Sequence, residues 1–261
     1  MVTVKNPILM GFYPDPSICR KGEDYYIVNS SFVYAPGVPI FHSRDLAHWE
    51  QIGNILDRPS QLPVAGADIS DGIYAPTIRY HDGLFYMITT NVTHGNNFIV
   101  TAENPEGPWS EPYYLATMPR ASIRAFFFDD DGKCYYCGTR PNPEGVRYNG
   151  DWEIWIQELD LKTMKLVGES MAIWKGAVKD VSGRKVRIFT RSMVIIIYST
   201  QKAEPVRNIV LRWHAVRSCS SGLKAVRAIR FSHTAISVWI IRSSMRDMEI
   251  WLMTARETGM L

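Results

Sequence analysis

The chain has 261 residues, 46% of them hydrophobic, and a formal net charge of +3; this is apolar material for one large core or two small ones, and it excludes a disordered polypeptide. Four cysteines in a chain of this size exclude a disulfide scaffold, and no run approaches the roughly twenty apolar residues of a membrane span. The small net charge hides two unlike parts, since residues 182–261 carry 14 basic and 4 acidic side chains for a net of +10, against 15 and 22 before them for a net of −7.

The opening MVTVKNPILMGFYPDPS has no cationic segment followed by an apolar stretch, so the chain is expected in the cytoplasm, or exported by a signal that has been removed. Within it Asp15 stands between Pro14 and Pro16. Proline on each side restricts the backbone and removes two amide donors, which holds this carboxylate rigidly; a plain Asp-Pro turn is the alternative.

From here one unit is written three times. Its copies are DPSICRKGEDYYIVNSS with VPIFHSRDLAHWEQIG (15–31, 38–53), APTIRYHDGLFYMITTN with NFIVTAENPEGPWSEPYYL (75–91, 97–115), and AFFFDDDGKCYYCGTR with EIWIQELDLKTMKLVGES (125–140, 153–170). In each, a short apolar strand meets a Gly and acidic turn, an aromatic strand follows, and a third strand leads to a Trp, Tyr or Leu anchor. No convincing amphipathic helix intervenes. Strands at this spacing predict an all-β array of small sheets, and a period of about 50 to 60 residues suits propeller blades.

Few other motifs carry chemistry. Cys134 and Cys137 form a C-x-x-C, but no second ligand pair follows and strand positions three apart face opposite sides, so core packing is the reading. The six histidines show no metal-ligand spacing, and His42 and His48 are read as structural. Phosphate-loop and nucleophile-elbow patterns do not occur. The basic tail raises the possibility of nucleic-acid binding, yet it holds no recognisable binding motif. The expectations are therefore no metal, no cofactor, no nucleic acid and no membrane.

Three segments carry a family resemblance: NPILMGFYPDPSICRKGEDYYIVNSSFVYAPGVPIFHSRDLAHWEQIG, GIYAPTIRYHDGLFYM, and FFDDDGKCYYCGTRPNPEGVRYNGDWEIWIQELDL. They resemble glycoside hydrolase family 43, in its β-xylosidase and α-L-arabinofuranosidase branch, over most of residues 5 to 181. The resemblance implies a five-bladed β-propeller, of which only about three blades are readable here. It implies hydrolysis of terminal β-1,4-xylosyl or α-L-arabinofuranosyl bonds in xylan-derived oligosaccharides by inversion, with Asp15 as general base and Phe32 and Tyr74 as walls of the sugar pocket. Many relatives carry Trp where Tyr74 stands. The family also needs an Asp in an Ile-Asp-Pro-Ser motif opening the third blade and a Glu in a Pro-Glu-Gly-Pro motif opening the fourth. Here the chain reads PRASIRAFFFDDDG and VSGRKVRIFTRSMV instead.

Starting each triplet one nucleotide earlier resolves the difference. Permitted codons for residues 184–198 then spell Pro-Glu-Gly-Pro-His-Ile-Tyr-Lys-Lys-His-Gly-Tyr-Tyr-Tyr-Leu, and those for 120–127 spell Glu-Gly-Ile-Asp-Pro-Ser-Leu-Phe. The same offset over 231–241 yields Ile-Leu-Thr-His-Arg-His-Leu-Gly-Met-Asp-Tyr, like the family's downstream histidine motif. The reading is a frame-shifted family gene, with an excursion near 119–127 and a lasting shift from about 181; a natural divergent tail is the rival. The division expected is 1–181 for blades one to three and 182–261 for a basic shifted tail. Such a chain is expected to be inactive and poorly soluble, with MVIIIY at 193–198 an aggregation hazard. A catalytically dead propeller that binds plant oligosaccharides is the alternative function.

Overall fold

Each copy of the repeat folds as a four-stranded antiparallel sheet whose strands follow chain order. The first comprises β1 (Ser17–Lys21), β2 (Asp24–Val28), β3 (Gly37–Ser43) and β4 (Glu50–Leu56). The second comprises β5 (Ile73–His81), β6 (Leu84–Asn91), β7 (Asn96–Ala102) and β8 (Tyr113–Leu115), and the third β9 (Ser122–Phe128), β10 (Cys134–Pro141), β11 (Trp152–Asp160) and β12 (Lys165–Trp174). This computed structural model describes residues 6–115, 122–128, 132–148, 151–174, 184–189, 194–200 and 209–211. The fold is all-β, and its sheets have the meander order of propeller blades.

The turns follow from local chemistry. Gly22 (φ +63°) closes β1 onto β2, and Asp82 and Gly83 (φ +46° and +86°) close β5 onto β6, supplying the left-handed backbone that tight hairpins need. After the third strand the Asp45 carboxylate accepts the amides of Ala47 and His48 at 2.9 and 2.8 Å, and Asp160 likewise accepts that of Lys162 at 3.0 Å. The Trp49 indole then donates to the Leu46 carbonyl at 3.1 Å, and the Trp109 indole to that of Pro105 at 3.2 Å. The anchors expected to end each unit instead lead into a fourth strand. That strand was hard to read because it is an edge: β8 spans three residues and leaves Tyr113 and Tyr114 exposed, so it has no apolar alternation.

Strand β6 is buried at every position from Phe85 to Asn91, the pattern of a strand covered on both faces. Val28, Ile40 and Leu56 of the first sheet form one cluster with Ile78, Phe85, Met87 and Phe98 of the second. Each such side chain contributes about 1.5–3 kcal/mol by leaving water. Cys134 and Cys137 are both buried within β10, and burial pushes the Cys134 thiol up to about 12, which keeps it protonated.

A fourth sheet has the order β13 (Arg184–Phe189), β14 (Val194–Thr200), β15 (Ile209–Leu211). It contains most of the segment marked as an aggregation hazard. Strand β14 pairs with β13 along Val194–Ser199, whereas β15 covers only Tyr198–Thr200 on its other side.

The chain divides into two compact units. One is built from Met1–Phe127, Cys134–Arg140 and Trp155–Met171, the other from Phe128–Lys133, Pro141–Ile154 and Ala172–Leu261. The first holds both complete sheets and every residue of the candidate site.

Candidate active site

Asp15 precedes β1 by two residues, and the pairing of Ser17 with Val28 sets it beside the segment that leaves β2. The Ser30 amide donates to the Pro14 carbonyl at 3.0 Å, and the Asn29 amide group donates to the Tyr13 carbonyl at 2.8 Å. So held, Asp15 takes a left-handed backbone (φ +51°), which is costly for a residue with a Cβ and more so before a proline. Its carboxylate accepts the Ser30 hydroxyl at 2.8 Å on Oδ2, and that hydroxyl accepts the Ala75 amide at 2.6 Å. The hydroxyl thus joins the Ala75 amide to the carboxylate in one chain of hydrogen bonds. Among the described residues Oδ1 has no hydrogen-bond partner.

Phe32 is joined to the start of β5. It pairs with Ile73 through two reciprocal amide-to-carbonyl bonds of 3.0 Å, again with a left-handed backbone (φ +50°). Only glycine fits beside this pair, because a Cβ on Gly72 would lie 2.2 Å from the Phe32 carbonyl oxygen. One residue beyond Ile73, the Tyr74 ring meets the Phe32 ring edge to face, with centroids 5.2 Å apart and planes at 73°. The Tyr74 hydroxyl donates to the Ser70 carbonyl, and its own carbonyl accepts the Thr89 hydroxyl at 2.7 Å. Burial, then the carboxylates of Asp71 and Asp15, push the Tyr74 phenol up, so it stays protonated. Ala75, which donates to Ser30, has a third left-handed backbone (φ +37°).

The three residues singled out from the sequence therefore meet in one cluster. Ser30 and Ala75, which join Asp15 to the Tyr74 segment, were not singled out; the NSS at 29–31, directly after a strand and opposite an Asp flanked by prolines, was the available signal. Also missed was a cavity of about 410 Å³ lined by Phe12, Ser31, Phe32, Tyr34 and Asn54 among others. Of Asp15, Phe32 and Tyr74 only Phe32 lines it. The third-blade Asp and fourth-blade Glu positions fall in β9 and β13, where this chain carries Ile123 and Lys185. His42 lies in β3 bonded to Asp24, and His48 in the following turn bonded to Asp45, each at 2.7 Å. Among the described residues no group of three His, Cys, Asp or Glu side chains is arranged to hold a metal ion.

A carboxylate propped just before the first strand of one blade, beside an aromatic corner shared with the next, is the candidate site that this β-sheet array presents. The chain belongs to the glycosyl hydrolases of family 43, whose family model matches residues 4–188. A xylosidase/arabinosidase of Butyrivibrio fibrisolvens is 76% identical over 182 residues, covering 69% of this chain and 35% of that protein. A non-reducing-end α-L-arabinofuranosidase of Bacteroides ovatus is 49% identical over 138 residues, covering 51% of this chain and 26% of that protein. Among solved structures, a Bacteroides ovatus family 43 protein from a xyloglucan locus has a TM-score of 0.68 at 34% identity, covering 85% of this chain and 42% of that one. The xylan β-1,4-xylosidase of Bacillus halodurans has a TM-score of 0.63 at 31% identity, over 85% of this chain and 52% of that one. The chain spans about a third and about a quarter of the length of these two curated relatives, at 35% and 26%.

Proposed function

We propose that the chain descends from an inverting exo-glycosidase that removes terminal β-1,4-xylosyl or α-L-arabinofuranosyl residues from xylan-derived oligosaccharides, and that it is itself inactive. The observation that carries this reading is the Asp15 cluster: a carboxylate propped on one oxygen and open on the other, beside the Phe32 and Tyr74 rings. Inversion needs a base that takes a proton from water as the water oxygen bonds the anomeric carbon, and an acid across the sugar that protonates the leaving oxygen. Asp15 Oδ1 is the base in this reading. Phe32 and Tyr74 supply flat apolar faces for the sugar ring. The acid is the Glu recovered in the shifted frame, so this chain lacks it. The end of the family match at residue 188, a few positions beyond 181, supports a lasting frame shift there.

The test is to express the 261-residue chain and a version with the frame restored at about 119–127 and from about 181. Both are assayed on aryl β-xyloside and aryl α-L-arabinofuranoside, with the product anomer read by NMR. The restored chain is expected to hydrolyse with inversion, to lose about 10²–10⁴-fold in rate on Asp15→Asn, and the present chain to release no product. Turnover by the present chain, or inertness of a folded restored chain, would overturn the reading.

A further inference from the structure

We propose that Ser30 is a positioning residue of the water-activating step: its hydroxyl makes the two oxygens of Asp15 unequal, so that Oδ1 alone takes the proton from water and alone returns it to solvent. The inference rests on the proposed function above, and it adds a residue that acts through Asp15.

The backbone before Asp15 is fixed from the segment that leaves β2. The Ser30 amide donates to the Pro14 carbonyl at 3.0 Å, and Asn29 Nδ2 donates to the carbonyls of Tyr13 and Pro14 at 2.8 and 3.3 Å. Asn29 is wholly buried, and its Oδ1 has no partner among the described residues. A fold retains that cost for what the two N–H bonds secure. What the backbone leaves free is the torsion that turns the carboxylate, which in an Asp side chain is broad and two-fold, so rotamer preference does not decide which oxygen faces the reaction. The Ser30 hydroxyl does.

A serine hydroxyl has one proton to give. Here the oxygen accepts the Ala75 amide at 2.6 Å, and an amide N–H only donates, so the hydroxyl proton is directed to Asp15 Oδ2 at 2.8 Å. Both ends of this bridge carry left-handed backbone, at φ +51° for Asp15 and +37° for Ala75, a conformation held only where surrounding contacts over-determine it. In the proposed reaction the water oxygen bonds the anomeric carbon as the bond to the leaving oxygen breaks. The water proton goes to Oδ1, and the leaving oxygen takes its proton from the recovered Glu. Asp15 is then a carboxylic acid whose Oδ2 still accepts, so the Ser30 bond survives the transfer and nothing has to reorganise around it. Loss of the Oδ1 proton to solvent resets the base.

The test measures turnover in the frame-restored chain on aryl β-xyloside, and the hydrogen bond itself in the 261-residue chain. In the restored chain Ser30→Ala should lower kcat by about 10- to 100-fold, with KM within about twofold, because a misplaced base costs the transition state and not substrate binding. Ser30→Cys puts a weak donor in the same place and should also lower kcat, by about tenfold, whereas Ser30→Thr keeps the hydroxyl and should stay within about threefold of the parent. A residue that only braces the fold would lower the melting temperature and leave kcat of the folded enzyme as it was. In the 261-residue chain Ser30→Ala should speed exchange of the Ala75 amide by about tenfold or more, and Ser30→Thr should restore its protection. An unchanged kcat in Ser30→Ala, or a Ser30→Thr no better than Ser30→Ala, overturns the positioning role and leaves the proposed function standing. Where Ser30→Ala does not fold, Ser30→Cys decides on the same terms. Ala75 exchange that ignores the loss of the hydroxyl overturns the role at its first bond. Inertness of a folded restored chain overturns the functional reading and this inference with it.

Discussion

At one end of the first two sheets the chain reverses through Gly22 and through Asp82 and Gly83, while at the other end left-handed backbone falls on Asp15, Phe32 and Ala75. Glycine and Asp reach that conformation at low cost. An alanine, a phenylalanine and an Asp before proline do not, and each costs on the order of 1–3 kcal/mol unless its surroundings over-determine it. Those surroundings are present: two prolines about Asp15, the Ser30 hydroxyl between Asp15 and Ala75, and the reciprocal bonds of Phe32 with Ile73. The first end is built for closing hairpins, and the second holds side chains where relaxed backbone would not. Strain gathered on the residues of a propped carboxylate and an aromatic corner is what a preorganised site requires.

The largest expected break in this contrast comes from Gly72→Ala. Its Cβ would meet the Phe32 carbonyl oxygen at 2.2 Å with φ at +85°, and the atom it meets is backbone that cannot swing aside, so the Phe32–Ile73 pair must open. Denaturant titration should show a loss of about 3 kcal/mol, with the aromatic corner released. Next is Ser30→Ala, which leaves both the Asp15 carboxylate and the Ala75 amide without their shared partner. A loss of about 2 kcal/mol is expected in denaturant titration. A loss near zero would mean that the Ser30 hydroxyl does not hold the two segments together. Gly83→Ala is the control at the other end: φ is +86° there but nothing lies within 4 Å of the added Cβ. Only the conformational cost of about 1 kcal/mol should appear. If Gly83→Ala costs as much as Gly72→Ala, the two ends do not differ and the argument from strain fails.

The same contrast separates what was legible in the sequence from what was not. The three copies announced three sheets, because the hairpin turns at Gly22 and Gly83 and the apolar strands beside them are local signals. Asp15 stood out because prolines flank it, although a plain turn was the alternative, and the family resemblance named Asp15, Phe32 and Tyr74. The left-handed backbone of Phe32 and Ala75 was not legible, since it is imposed by a partner some forty residues away in the other sheet. Ser30 and Ser31 read as ordinary polar residues, and only the packed fold shows that one hydroxyl serves Asp15 while the other has no partner among the described residues. The edge strands β4 and β8 escaped for a different reason. Both are half-exposed and β8 has only three residues, so pairing rather than composition makes them strands.

The smallest expected effect concerns the third sheet, where the corresponding loop, between β10 and β11, is closed by charge rather than by strain. The Asp151 side chain is 1% exposed and accepts Arg147 Nε at 2.8 Å and Nη2 at 3.0 Å, while its amide donates to the Tyr148 carbonyl at 3.0 Å. The Arg147 side-chain bond, foremost among several causes, holds the Asp151 carboxyl well below the usual carboxylate range. Its folded pKa is depressed, so the stabilisation is full above the unfolded value of about 3.9 and is lost as pH falls through the folded value. Loop closure should thus persist at pH 4 and weaken only on further acidification. Arg147→Ala should bring opening up into the ordinary carboxylate range, read as exchange of the Arg147 or substituted Ala amide and of the Asp151 amide, with little change in global melting because Arg147 is 68% exposed. A loop that opens at the same pH with and without Arg147 would show that burial and the neighbouring Asn142, rather than the ion pair, keep it shut.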